Sequence, residues 1–137
     1  MVFFAPMTLA PRTIQHTGLT LERWMSFTVD QQILMIGNEM NRAGKLRNPD
    51  DRERRANAYE RVLCLTDLTI QANPRKGLKR ELLLWRDLAA RLFMKPEPEP
   101  KAHTEAFRAL LLLTPEASKQ IPYVMGDGTH EPYAAGR

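Results

Sequence analysis

The sequence predicts an all-α protein: a small antiparallel helical bundle with three core helices, over about residues 29–47, 49–72 and 78–94, and a short fourth helix over about 103–113. Two observations predict it. Between Thr28 and Phe93, apolar residues step by three and four, the spacing that keeps side chains on one face of an α-helix. Helix-breaking signals interrupt this pattern at Asn48-Pro49 and Asn73-Pro74, and connections so short place successive helices antiparallel.

The first helix carries the stripe Val29, Ile33, Ile36, Met40 and Ala43. Thr28 is placed to accept a hydrogen bond from the orphan amides of its first turn. Gln31 stands three residues on and Phe27 just before, the outline of a capping box with a hydrophobic staple. Asp30 suits the positive end of the helix dipole, and Lys45 and Arg47 suit the negative end. The second helix is capped by Asn48, with Pro49 in the first helical position and Asp50 and Asp51 in the first turn. Its stripe is Ala56, Tyr59, Leu63, Thr66 and Ile70, with Val62. Leu65 and Leu68 lie off that stripe, so this helix should touch neighbours on more than one side and form the centre of the bundle. The third helix follows with Leu78, Leu82, Trp85, Ala89 and Leu92.

After Met94 the composition changes abruptly. Proline at every second position of Lys95-Pro96-Glu97-Pro98-Glu99-Pro100-Lys101 excludes a helix interior, so 95–101 reads as an extended linker. Ala106, Phe107, Leu110 and Leu111 define the fourth helix, within 102–114 and stopped by Thr114-Pro115. The domain core is thus 25–94, and 115–137 reads as a flexible C-terminal tail. Residues 1–24 show no periodicity and read as extended or disordered. Met25-Ser26-Phe27-Thr28 looks like a natural beginning, which makes Met25 a candidate initiator.

Composition limits the function classes. An apolar fraction of 43% with 26% charged residues is that of a globular chain and excludes disorder throughout. The apolar start lacks a leading basic residue and is cut by Pro6, so it does not read as a secretion signal. No stretch reaches the ~18 consecutive apolar residues of a membrane span. Cys64, the one cysteine, excludes an internal disulfide, and a reducing, cytoplasmic location is expected.

No motif with a chemical mechanism is present: no glycine-rich phosphate loop, nucleophile-elbow serine, paired helical histidines or Cys–His pair. His16, His103 and His130 all fall outside the three core helices. The expectation is therefore a non-enzymatic protein without cofactor or metal. Glu53, Glu60 and Asp67 recur every seven residues beside the second stripe, and Lys79 and Arg86 do so beside the third. These read as interhelical ion pairs that set register.

A core this small buries only ~60% of its unfolded surface, which favours docking of the fourth helix or of a second chain. Leu65, Leu68, Leu83, Leu84, Leu110 and Leu111 are the candidate interaction surface. Asn38, Glu39, Asn41 and Arg42, between Gly37 and Gly44, are a candidate polar pocket. The net charge of +4 concentrates on the third helix and its approach, where Arg75, Lys76, Lys79, Arg80 and Arg86 are candidate nucleic-acid contacts. The sequence thus reads as a helical protein–protein interaction module, a homodimer with adaptor or regulatory duties. A nucleic-acid-binding regulatory protein is the alternative, and a membrane partner is not expected.

Overall fold

The computed structural model describes residues 19–125. Seven α-helices follow one another among the described residues: α1 Leu21–Met25, α2 Val29–Lys45, α3 Arg52–Ala72, α4 Lys76–Met94, α5 Pro100–Leu111, α6 Pro115–Ser118 and α7 Ile121–Met125. The described residues contain no strand. The long helices close a ring. α3 packs on α2 and α4, and α5 fills the remaining side against α2 and α4. The all-α bundle is as the periodicity predicted, and it is four-helical.

Local chemistry sets most boundaries. Thr28 Oγ1 accepts from the Gln31 amide at 3.1 Å and Gln31 Oε1 accepts from the Thr28 amide at 2.8 Å, a complete capping box that starts α2. At the next junction Pro49–Asp51 forms a 3₁₀ turn before α3 rather than its first α-helical turn. The Asp51 carboxylate reaches back to the Asn48 amide at 3.2 Å and holds that turn closed. α4 begins at Lys76, two residues earlier than the stripe suggested.

Three segments differ from the sequence reading. Residues 21–25 are helical, not extended. Thr20 caps them, its Oγ1 accepting from the Arg23 amide at 3.1 Å, and Trp24 is fully buried. One turn is too short to display a period, so only its tertiary contacts declare it. The linker contracts to 95–99, because Pro100 is the first residue of α5, a position that needs no amide donor. Residues 115–125 form two short helices instead of a free tail. Thr114-Pro115 ends α5 and also starts α6, with Thr114 Oγ1 accepting from the Ala117 amide at 3.3 Å. Ala117 and Ile121 are buried, and α6 packs on α2 while α7 packs on α5. The remainder of the N-terminal segment, 1–18 with His16, and of the tail, 126–137 with His130, lies outside the described residues.

The core joins Ile33, Ile36 and Met40 of α2, Val62, Leu65 and Leu68 of α3, Leu82, Trp85 and Ala89 of α4, and Phe107, Leu110 and Leu111 of α5. The stripes of α2 and α4 match the sequence. On α3 the predicted Tyr59, Val62 and Thr66 are buried, whereas Ala56, Leu63 and Ile70 are half-buried; Arg55, Ala58, Leu65, Leu68 and Thr69 are buried beside them. α3 meets α1, α2 and α4, so its inward surface is broad and no single stripe describes it. The buried threonine hydroxyls are satisfied there, since Thr66 and Thr69 donate to the Val62 and Leu65 carbonyls at 2.7 and 2.8 Å.

The two α2 glycines serve close approach of α5. A Cβ on Gly37 would lie 3.4 Å from Phe107 and 3.7 Å from Leu111, and one on Gly44 would lie 2.7 Å from Nε2 of His103. α5 therefore seats directly on the α2 backbone at Gly44, which explains a glycine in a helix interior despite its cost of up to ~1 kcal/mol.

Candidate functional site

The predicted interaction leucines separate into two groups. Leu65, Leu68, Leu110 and Leu111 are buried in the core and cannot form a surface. α5 docks within its own chain, and its leucines are consumed there. Leu83 and Leu84, by contrast, are 49% and 61% exposed. They lie on the side of α4 opposite Leu82, Trp85, Ala89 and Leu92, the residues that face the core.

This outer face also carries most of the predicted basic residues. Leu83 and Leu84 line an open groove of about 420 Å³ together with Lys76, Lys79, Arg80 and Asp87. Arg75 is exposed just ahead of it. The first turn of α4 holds no acid, although a helix N-terminus favours negative charge. Among the described residues no carboxylate pairs with Arg75, Lys76, Lys79 or Arg80. Arg86 differs and leaves the nucleic-acid candidates. Its Nε and Nη2 donate to the two Asp67 carboxylate oxygens at 2.6 and 3.1 Å, a bidentate pair that ties α4 to α3. The acids spaced by seven thus contribute a register-setting pair at Asp67.

The spacing on α4 is symmetric. Arg80 stands three residues before Leu83, and Asp87 stands three after Leu84. All four share one face. Asp87 also lies 3.9 Å from Arg91 one turn on, both side chains being some 70% exposed, so this contact holds neither in place.

The expected polar pocket does not form. Asn38 and Arg42 are exposed, Asn41 is half-buried, and Glu39 is held by Arg61 of α3 at 3.0 Å with Arg42 at 3.8 Å. An acid on the α2–α3 seam serves the seam.

Sequence reasoning missed a buried polar cluster where α2, α3 and α5 meet. His103 lies in the core, against the expectation that all histidines lie outside it, and its Nδ1 is 2.7 Å from the Tyr59 hydroxyl. The Met40 carbonyl is a second hydrogen-bond partner of the ring. A neutral imidazole with the proton on Nε2 satisfies both, accepting from the phenol and donating to the carbonyl. Burial lowers the His103 pKa from its ordinary 6.5, the Met40 carbonyl opposes this, and the Arg47 charge adds to it. Burial likewise pushes the Tyr59 phenol up from 10.0 to about 12, against the charges of Arg55 and Arg47. The signal in the sequence was His103 four residues before Phe107, one turn upstream on the same stripe.

This pair makes folding acid-sensitive. Below pH 6.5 an unfolded His103 takes up a proton that the folded one refuses until its lower pKa is reached. The contribution is therefore complete above pH 6.5 and is lost as the pH falls through the folded value. Urea denaturation from pH 7.5 to 5 should show stability falling with acid. His103→Gln should flatten that slope, and an unchanged slope would contradict the assignment.

No family model, curated protein or solved structure matches this chain. Its reading rests on its own residues. No described helix is long and apolar enough to cross a membrane.

Proposed function

We propose that the protein is a homodimeric helical interaction module, with adaptor or regulatory duties, whose two copies meet through the outer faces of α4. The observation that carries this is the symmetric order Arg80, Leu83, Leu84, Asp87 on an exposed face. When two such helices cross antiparallel about a two-fold axis between Leu83 and Leu84, Leu83 of one copy meets Leu84 of the other. Arg80 of one copy then stands opposite Asp87 of the other. A two-fold interface requires this self-complementarity. The apolar pair supplies the buried centre and the charges a polar rim that fixes direction.

Leu84→Glu tests the reading. Its side chain is exposed in the single chain, so the fold should survive while the central contact gains a charge. Light scattering after size exclusion should give a dimer for the unaltered protein and a monomer for L84E. An unaltered protein that stays monomeric over a wide concentration range would overturn the proposal.

The nucleic-acid reading retains one specific support: Arg75, Lys76, Lys79 and Arg80 are all exposed without a carboxylate partner among the described residues. Phosphate contacts would show as binding that weakens steeply with salt in mobility-shift experiments.

A further inference from the structure

At the opposite end of α4 the chain gathers four cations without pairing them. The turn after α2, the start of α3, the end of α4 and the start of α5 converge there. Arg54 is held by Asp51, Arg61 by Glu39 and Arg86 by Asp67. Arg47, Arg52, Arg55 and Lys95 have no carboxylate within 4.0 Å among the described residues. Arg55 is the notable member, for it is only 5% exposed. Two of its N–H groups donate at 2.9 Å to the Leu46 and Pro96 carbonyls, clipping the α2–α3 turn to the α4–α5 connection.

A buried guanidinium normally has a counter-charge, because the desolvation of an unpaired ion costs several kcal/mol. Carbonyls satisfy two of its five donors and none of its charge. Arg55 lines a cavity of about 160 Å³ whose other walls include Arg52, Lys95, Tyr59, Leu92 and Phe93. Arg52 and Lys95 are exposed at its rim. A smaller adjoining hollow is lined by Arg47, Arg55, Tyr59, His103 and a single acid, Glu99. The main cavity has no acid in its wall. A clip between two loops needs Arg55 alone. It does not need Arg52 and Lys95 beside it, nor a cavity in front.

We propose that this cavity is a phosphate-binding site in which Arg55, Arg52 and Lys95 hold the dianionic oxygens of free phosphate or of a small phosphate monoester. The guanidinium fork suits tetrahedral oxyanions, and the lysine adds a point charge. Leu92 and Phe93 give the organic part of a monoester an apolar wall.

The test is titration of the ¹⁵N-labelled full chain with inorganic phosphate and with phenyl phosphate, against sodium chloride at matched ionic strength. Saturable amide shifts at Arg55, Phe93 and Lys95 are expected with one or both phosphates and not with chloride. Tighter binding of phenyl phosphate would mark a monoester as the ligand, and equal binding would mark the free ion. Arg52→Gln with Lys95→Gln, both exposed positions, should leave the spectrum folded and weaken binding at least ~10-fold. Absence of saturable shifts with both phosphates, or shifts equal in R52Q/K95Q, would overturn the site.

Discussion

Trp24→Ala should destabilise the protein by ~3–5 kcal/mol, the range for deleting a buried aromatic side chain. Trp24 is 0% exposed, and its indole N–H donates to Thr69 Oγ1 at 3.0 Å. Its carbonyl accepts from Gln32 Nε2 at 3.0 Å, and Gln32 Oε1 in turn accepts from Asn73 at 2.8 Å. The Trp24 indole thus joins α1 to α3, and its carbonyl and the Gln32 side chain join α1, α2 and the end of α3. The variant would leave a large cavity and remove the donor to Thr69 Oγ1 from a buried network. Chain initiation at Met25 would remove the same residue, so a protein shortened to that point should show at least the same loss in urea denaturation. A loss below ~1 kcal/mol in either would contradict the place given to Trp24.

Leu110→Ala should cost ~2–5 kcal/mol. Leu110 is fully buried, and its Cδ2 approaches the α2 backbone at Gly37. On its other side α5 is tied to α4, where the Trp85 indole donates to the Ala106 carbonyl at 2.8 Å. The variant is best measured in the L84E background, where dimer formation no longer contributes to apparent stability. Because α5 docks within its own chain, the cost should persist there in full. Disappearance of the cost in that monomer would mean that α5 seats on another copy.

These variants mark the limits of what was legible in the sequence. α2 was readable almost to the residue, because a capping box, a stripe and terminal charges agree over seventeen positions. The inward stripe of α4 was equally plain. α3 was readable as a helix with neighbours on more than one side, but its stripe was only half right, since three neighbours leave no single apolar face and Arg55 is buried by hydrogen bonds rather than hydrophobicity. α1, α6 and α7 are one turn or little more, too short for periodicity to act. Their caps, Thr20 and Thr114, were the available signal. Thr114-Pro115 was read as a stop when it is both stop and start.

Candidate sites followed the same logic. A leucine run identifies apolar surface without saying what covers it, and here Leu110 and Leu111 are covered by α2 and α4 while Leu83 and Leu84 are not. From sequence Arg86 belonged both to the interhelical ion pairs and to the basic group of α4; its bond to Asp67 decides for the ion pair, and the others stay in the open. Tyr59 and His103, 44 positions apart, are brought together only by the return of α5 across the bundle.

A charge-reversal cycle across the proposed two-fold axis, read by sedimentation equilibrium, decides whether two copies meet through α4. In R80D and in D87R every cross-copy pair becomes like-charged, and dimerisation should weaken ~10-fold or more. The double variant R80D/D87R restores opposite charges with their positions exchanged, and it should recover most of the original affinity. A double variant no tighter than either single one would contradict an antiparallel α4 interface.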